Sequence, residues 1–179
     1  FMKHDYPVLF ADVLVIGGGS AGAMAAIRAK ECGPDQKVVV FEKGDILYSG
    51  CIARGMDALN IVAVPGQTTP ELYVESNGMA GEGSMDEPVN YLMAKRSYPL
   101  MKKLEGWGVF FPRDQEGNYE LLQVHPRGKF CLAMKEPELK TILAKRLLRL
   151  GCQVFNRVMG LQLLVEEGRV AGAIGMNIY

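Results

Sequence analysis

The chain has 179 residues, of which 49% are hydrophobic and 22% are charged, and its 20 basic residues balance 20 acidic ones. A chain of this size buries enough apolar surface to form one globular domain without disulfide bonds. A formal net charge of zero supplies no excess positive charge for nucleic acid or an anionic membrane, so neither partner is expected.

The four cysteines lie far apart and form no C-x-x-C pair, which argues against structural zinc or a resident iron–sulfur cluster. We therefore expect reduced, buried thiols and no metal site. The apolar run at residues 11–29 is interrupted by four glycines, Asp12 and Arg28, and is too short for a signal or membrane-spanning segment. These features predict a cytoplasmic protein.

The first forty residues form the pattern of one βαβ unit. A β-branched run at residues 12–16 stops at three glycines, which is typical of a buried parallel strand that enters a tight turn. The Ala-rich residues 20–31 predict a helix that ends at Gly33 and Pro34. A second apolar run at residues 37–41 predicts the next parallel strand. This order indicates the α/β class, with a Rossmann-like parallel central sheet.

The middle of the chain predicts a mainly helical insertion. Residues 44–66 are rich in glycine and predict a loop that leads into a short helix at about residues 53–62. Apolar residues recur at helical spacing in residues 70–80 and 88–107, which predicts two longer helices. Residues 114–118 predict a hairpin loop.

The C-terminal part returns to the α/β pattern. Residues 138–150 form an amphipathic helix, and residues 154–158 are a third strand candidate. Two strands at residues 161–165 and 170–176 flank a turn at residues 166–168, which predicts a β-hairpin.

The glycine-rich turn after the first strand matches the G-x-G-x-x-G fingerprint of dinucleotide-binding proteins. In this fingerprint Gly17 permits the sharp turn, Gly19 lets the backbone approach a pyrophosphate, and Gly22 lets the helix pack close to the strand. The helix N-terminus then offers free N–H groups and the positive end of its dipole to the phosphates.

An acidic residue, Glu42, ends the second strand about twenty residues after Gly22, where the fingerprint places a ribose ligand. Its carboxylate would accept a hydrogen bond from a ribose hydroxyl and repel a 2′-phosphate, which disfavours NADP. The fingerprint leaves the choice between NAD and FAD open. A glycine-rich turn that binds nothing is the alternative, and the combination of strand, glycines, helix and acid argues against it.

Further motifs follow the fingerprint. Residues 11–22 and 41–43 precede a pattern formed by Ser49, Gly50, Ala53, Gly55 and Asn60. Residues 154–159 and 168–175 add a strand and a hairpin. Together these stretches resemble the fumarate reductase/succinate dehydrogenase flavoprotein superfamily, and within it the branch of the adenylylsulfate reductase α-subunit most closely.

The resemblance implies an FAD-binding domain. It implies that the pyrophosphate is held by Gly17, Gly18, Gly19, Ser20, Ala21 and Gly22. It implies that Glu42 binds the adenosine ribose, that Lys43 lies beside it, and that the backbone of Val158 contacts the adenine. Along the pyrophosphate and flavin it implies Ser49, Gly50, Ala53, Arg54, Gly55, Met56 and Asp57. Asn60 matches a position that faces the flavin and substrate, and it is the candidate catalytic residue.

The sequence also departs from the superfamily. Succinate dehydrogenases link FAD through a histidine in the loop that here contains Ser49, and this loop has no histidine, so we expect non-covalent FAD. Arg54 stands where many relatives have glutamine; its charge could lie near the flavin and raise the flavin's potential, but we expect the side chain to point to solvent. Cys51 lies in the same loop and could have a redox role, but we expect a small buried thiol. His125 could act as a general acid or contact a substrate, with Arg127 and Lys129 near an anionic ligand, but we expect it to lie in a solvated loop.

The function that the resemblance implies is that of a flavoprotein oxidoreductase. It would pass electrons between FAD, a small anionic substrate and an iron–sulfur partner, and the substrate and the partner follow from the resemblance alone. The alternatives are an NAD-dependent dehydrogenase and a non-catalytic nucleotide-binding subunit.

Compared with the superfamily, the chain predicts an incomplete domain. Residues 1–60 form the βαβ unit and flavin loop, residues 61–135 the insertion, and residues 136–179 the last helix, strand and hairpin. The family's next strand and its capping domain are absent after residue 179. We therefore expect an N-terminal fragment that is inactive by itself.

Overall fold

A computed structural model describes residues 6–179, so the first five residues of the predicted 1–60 segment lie outside the described residues. The chain divides into two compact units, Phe1–Ala53 with Lys140–Tyr179, and Arg54–Leu139. In chain order the helices and strands are β1 (Val13–Ile16), α1 (Ser20–Cys32), β2 (Val38–Glu42), β3 (Met56–Leu59), α2 (Pro70–Gly81), α3 (Glu87–Gly106), β4 (Leu121–Leu122), β5 (Cys131–Glu136), α4 (Leu139–Arg149), β6 (Gln153–Asn156), β7 (Val158–Glu166) and β8 (Arg169–Asn177).

The first unit is built on a parallel sheet in which β2 lies between β1 and β6. Val38, Val39 and Val40 of β2 are almost completely buried, as a continuous β-branched run in a central parallel strand requires. The helix α1 connects β1 to β2 and buries Ala23, Ala26 and Ile27. The predicted α/β class with a parallel central sheet is confirmed.

A long hairpin completes the first unit. The strands β7 and β8 are each nine residues long, which is longer than predicted. Their two-residue turn places Glu167 at a φ of 49° and Gly168 at a φ of 76°. Positive φ at both positions is the type I′ geometry that matches the twist of a hairpin. The predicted hairpin is confirmed, and the predicted third strand ends earlier, at Asn156.

The second unit combines an antiparallel sheet, in the order β3-β5-β4, with two helices. The side chains of Thr69 and Asp86 cap α2 and α3 by accepting hydrogen bonds from backbone N–H groups, and proline stands at the start of each helix. Both predicted helices are confirmed. A buried cluster packs the helices on the segments beside the sheet, and it contains Ala63, Tyr73, Ala94 and Phe130.

The predicted short helix at about residues 53–62 is wrong. A single 3-10 turn at Cys51–Arg54 ends at Gly55, whose φ of 87° lies in the left-handed region. The strand β3 follows directly and pairs with β5. Its sequence, Met-Asp-Ala-Leu, has little intrinsic preference for a strand, so the pairing with a buried neighbour decides its conformation.

Candidate functional site

The turn from β1 to α1 has the geometry that its glycines predict. Gly17 adopts a φ of 97°, which allows the chain to reverse direction after β1. A Cβ atom on Gly22 would lie 1.8 Å from the carbonyl oxygen of Gly17 and 3.2 Å from Val15. The helix therefore packs against the strand so closely that only glycine fits at this position.

Gly19 and Gly18 have different roles in the same turn. A Cβ atom on Gly19 would meet nothing within 4 Å among the described residues, so this side of the turn is open. A Cβ atom on Gly18 would lie 2.4 Å from Ile46 and 2.8 Å from Glu42. Gly18 is therefore a packing glycine, whereas Gly19 leaves room for a group outside the chain.

Glu42, at the end of β2, is tied to the turn by its carboxylate. Its Oε2 accepts the Gly18 N–H at 2.6 Å, and its Oε1 accepts the Gly44 N–H at 2.6 Å and the Ser49 hydroxyl at 3.0 Å. Burial acts to raise the pKa of Glu42, but these three donors and the charge of Lys140 outweigh it and lower the pKa. The carboxylate is thus held ionised beside the glycine-rich turn.

Lys140 is a site residue that the sequence analysis missed. It lies on α4, is only 2% exposed, and its Nζ donates to the carbonyl oxygen of Gly18. Burial lowers the pKa of Lys140, while the charges of Glu42 and Asp45 act to raise it. The sequence did contain a sign of this role. Leu143, Ala144 and Leu147 lie three, four and seven residues after Lys140, so Lys140 belongs to the buried face of α4, where a charged side chain requires a partner.

The loop after β2 is fixed to the end of β6. The Ile46 N–H donates to Asn156 Oδ1 at 2.9 Å, and the Arg157 N–H donates to the Gly44 carbonyl oxygen at 2.9 Å. The turn after β1, the end of β2 and the end of β6 therefore meet at the carboxyl edge of the parallel sheet. Ligands of open α/β sheets bind in this position.

These residues fit the phosphates and ribose of a dinucleotide. No side chain of the described residues caps the N-terminus of α1, so its first N–H groups remain available to an anion. The Glu42 carboxylate has about four acceptor positions, and three are used by the donors named above, which leaves one for a hydroxyl group.

The other predicted cofactor residues of the first unit lie along or after these elements. Ser20 and Ala21 open α1 and are exposed, and Lys43 is exposed directly after Glu42. Gly50 has a φ of 93°. Ala53 and Val158 are half-buried.

Four predicted cofactor residues belong to the second unit. Arg54 and Asp57 are exposed, and Met56 begins β3. The exposure of Arg54 agrees with the expectation that it points to solvent. A Cβ atom on Gly55 would lie 3.1 Å from the backbone of Pro137, so a close approach of two chain segments requires glycine here.

Asn60 follows β3, and its side chain is held from two directions. Its Oδ1 accepts the Ile61 N–H at 3.1 Å and lies 2.7 Å from His125 Nε2. His125 is half-buried and packs edge-on against Tyr73 and Phe130, with ring centroids 5.4 and 5.7 Å away. Burial lowers the pKa of His125. His125 therefore lies in a loop, as expected, but its ring is half-buried rather than solvated.

The cysteines correct a second expectation. Cys131 and Cys152 are buried, and burial raises the pKa of both thiols. Cys32 and Cys51 are exposed, so the expectation of buried thiols is wrong for these two residues. All four thiols are free.

The fold and the glycine-rich turn define a nucleotide-binding α/β protein, and comparison with known families identifies its class. The profile of the FAD binding domain family matches residues 12–178, so the chain belongs to that family. The predicted cofactor, FAD, is confirmed at this level.

Similar proteins place the chain among flavoproteins. It is 29% identical over 177 residues to a protein of Methanothermobacter marburgensis described as one of the subunits of fumarate reductase (CoM/CoB), covering 93% of this chain and 31% of that protein. It is 24% identical to the alpha chain of adenylylsulfate reductase from Megalodesulfovibrio gigas, covering 93% of this chain and 28% of that protein. The chain thus spans about a third of the length of these relatives.

Solved structures agree with this placement. Adenylylsulfate reductase from Archaeoglobus fulgidus superposes with a TM-score of 0.83 at 27% identity, over 96% of this chain and 28% of that chain. Quinol fumarate reductase FrdA from E. coli superposes with a TM-score of 0.82 at 22% identity, over 93% of this chain and 29% of that chain. This likeness shows the shared fold. The predicted superfamily of FAD-dependent oxidoreductases is confirmed, and relatives of both reductase types match. The closer adenylylsulfate reductase branch stays a prediction.

Among residues 6–179, no helix is long and apolar enough to cross a membrane.

Proposed function

We propose that the chain is the FAD-binding part of a flavoprotein oxidoreductase of the fumarate reductase or adenylylsulfate reductase type. The observation that carries the proposal is the turn from β1 to α1. There Gly22 brings the helix against the strand, and Gly19 leaves open space beside an uncapped helix N-terminus. The relatives whose names describe fumarate and adenylylsulfate reductases support the class of reaction.

The residues of the first unit would divide the binding of FAD among them. Backbone N–H groups of Gly19, Ser20 and Ala21 would bind the pyrophosphate, because they stand at the positive end of the α1 dipole. The remaining acceptor position of Glu42 would bind the adenosine ribose. Lys140 would keep the carboxylate ionised and hold the Gly18 carbonyl oxygen away from the phosphates.

The chemistry itself would come from the cofactor, since bound flavin transfers electrons to and from a substrate. Asn60 of the second unit would offer its side-chain amide to the flavin or to the substrate. The proposal also includes a small anionic substrate and an iron–sulfur partner, and both rest on the resemblance to the reductase flavoproteins. We also propose residues 61–135 as an insertion that follows the flavin loop.

The proposal is tested by titrating the purified chain with FAD and with NADH. We expect FAD to bind and to show the visible absorption of protein-bound flavin, whereas NADH binds weakly. The variant Glu42→Ala should weaken FAD binding by about tenfold, because the ribose loses a charge-assisted hydrogen bond.

The exposed Lys37, directly before β2 and at the opposite end of that strand from Glu42, supplies the control for Glu42→Ala. The variant Lys37→Ala removes a charge from the same unit without removing any contact of Glu42, and it should change FAD binding by less than about twofold. Binding of NADH with no binding of FAD would overturn the proposal in favour of a dehydrogenase. Unchanged FAD binding in Glu42→Ala would show that the ribose lies elsewhere.

A further inference from the structure

The orientation of the Asn60 amide is decided by the backbone. The N–H of Ile61 can only donate, and it points at one of the two terminal atoms of the Asn60 side chain, at 3.1 Å. That atom must therefore be the carbonyl oxygen Oδ1. The amide nitrogen Nδ2 is left on the opposite side, and it donates no hydrogen bond to the described residues.

The same oxygen determines the protonation of His125. Its Nε2 lies 2.7 Å from Asn60 Oδ1, which can only accept, so Nε2 must carry a hydrogen. A neutral ring then has its lone pair on Nδ1, and a charged ring keeps the Nε2–H as well. The contact with Asn60 is therefore maintained in both charge states of His125.

The surroundings hold the His125 ring in this place. Tyr73 of α2 and Phe130 pack their rings edge-on against it, and burial lowers the pKa of His125, so the ring is neutral at pH 7. Tyr73 is a titratable neighbour, and burial raises its pKa, so it is also neutral. Of the charged groups on the same helix and loop, Glu75 pairs with Arg127, Glu71 accepts a hydrogen bond from the Tyr91 hydroxyl, and Lys129 is exposed.

A strained residue contributes to the arrangement. Ile61 has a φ of 74°, which is a rare backbone conformation for a β-branched side chain. Its side chain packs against the buried cluster of the second unit, which holds the residue in this conformation. Strain of this kind concentrates at functional sites, and here it directs an N–H group at the side chain of Asn60.

We infer that His125 is a positioning residue: together with the Ile61 backbone it fixes the Asn60 side chain so that the Nδ2 amide is presented as a hydrogen-bond donor. The ligand group that suits it is an acceptor, a carbonyl oxygen of the flavin or an oxygen of an anionic substrate. That assignment of the acceptor rests on the proposed function. The geometry rests on the second unit alone.

The first test needs no cofactor. In the full chain without FAD, the ¹⁵N chemical shifts of the His125 ring at pH 7 should report a neutral ring with the hydrogen on Nε2. The side-chain amide of Asn60 should give two sharp resonances that broaden in His125→Phe. A ring with its hydrogen on Nδ1, or Asn60 resonances that are the same in both proteins, would overturn the inference.

Two variants separate hydrogen bonding from packing. His125→Phe keeps an aromatic ring between Tyr73 and Phe130 but has no donor, and His125→Gln keeps a donor at a similar reach but loses the ring. We expect His125→Phe to alter FAD binding as Asn60→Ala does, by about three- to tenfold in Kd, and His125→Gln to stay close to wild type. The thermal midpoint should show the opposite order, with His125→Gln the less stable protein.

The double variant His125→Phe/Asn60→Ala should bind FAD no more weakly than Asn60→Ala, because the histidine acts through the asparagine. Additive losses would overturn the positioning role. If Asn60→Ala leaves FAD binding and the flavin spectrum unchanged while the ¹⁵N result holds, the positioning of Asn60 stands and its proposed contact with flavin fails.

Discussion

At the scale of single residues, Glu42 and Lys140 are two buried groups of opposite charge that bond mainly to backbone groups of the same turn and loop, and the charge of each favours the ionised form of the other. The Glu42 carboxylate accepts two backbone N–H groups, and Lys140 donates to a backbone carbonyl oxygen. Both groups bond to Gly18, Glu42 at its N–H and Lys140 at its carbonyl oxygen. Together they therefore fix the turn that the proposed cofactor would contact.

A pH dependence follows from the lowered pKa of Glu42. A carboxyl group whose pKa is lower in the folded state contributes stability that is complete above its unfolded value of about 4.5 and is lost as the pH falls through the folded pKa. We expect Glu42→Gln to be less stable than wild type at pH 7. The difference in unfolding free energy should shrink as the pH is lowered from 6 to 3, and urea titrations at several pH values measure it. A difference that is constant with pH would contradict this prediction.

Gly22 and Gly19 of the same turn should respond differently to replacement by alanine. Gly22→Ala should destabilise the fold by about 3 kcal/mol, because its Cβ would collide with the Gly17 carbonyl oxygen. Gly19→Ala should change stability by less than about 0.5 kcal/mol, since the added methyl group meets open space and its φ of −65° suits alanine. Chemical denaturation of both variants is the measurement.

The Gly19→Ala variant should also differ from the wild type in its affinity for FAD. Gly19→Ala is expected to fold normally and to bind FAD about tenfold more weakly, because the methyl group occupies the space proposed for the pyrophosphate. A stable Gly19→Ala variant with wild-type FAD affinity would place the pyrophosphate elsewhere.

At the scale of elements, the β7–β8 hairpin shows how a turn specifies its strands. Positive φ at two successive positions suits Asn-Gly or Asp-Gly, and here the sequence is Glu167-Gly168. The glutamate therefore adopts a conformation that costs free energy at its side chain. Nine-residue strands on both sides maintain the turn in spite of this cost.

The variant Glu167→Asn should raise the unfolding free energy by about 0.5 kcal/mol, because asparagine adopts the left-handed region more readily. Thermal unfolding of the variant beside the wild type measures the effect. The control is Glu166→Asn at the end of β7, where extended backbone gives asparagine no advantage and stability should not rise. Equal stabilisation in both variants would show that loss of negative charge is the cause.

The strand β3 shows the limit of reasoning from local sequence. The local sequence predicts a short helix at about residues 53–62, but the helical turn that forms there is the 3-10 turn at Cys51–Arg54, which ends at Gly55 with its positive φ. Because pairing with β5 supplies the hydrogen bonds, residues with a weak preference follow the partner strand. A pattern of single-residue preferences does not contain this information.

At the scale of the whole molecule, the chain matches an FAD binding domain over residues 12–178 and spans about a third of the length of its reductase relatives. The prediction at this scale is that FAD binding stabilises the folded chain as a whole.

A ligand that binds only the folded state stabilises it in proportion to the logarithm of its concentration. Free FAD at one hundred times its Kd should therefore raise the unfolding free energy by about 2.7 kcal/mol. NADP at the same concentration should have little effect, since Glu42 repels its 2′-phosphate. Thermal shift titrations with both nucleotides test this, and stabilisation by NADP alone would contradict it.

The α/β class, the βαβ unit and a dinucleotide-binding turn could be predicted from the order of the residues, whereas the choice of FAD over NAD came from the resemblance to the flavoprotein superfamily. Glycines and β-branched runs act locally at fixed spacing, so the sharp turn at Gly17 and the close packing at Gly22 could be predicted without a structure. The folded chain was needed to find that Lys140 reaches the Gly18 carbonyl oxygen, and that His125 meets Asn60, 65 positions away. These contacts join side chains that are distant in sequence, and their partners are set by packing and burial, which no local pattern encodes.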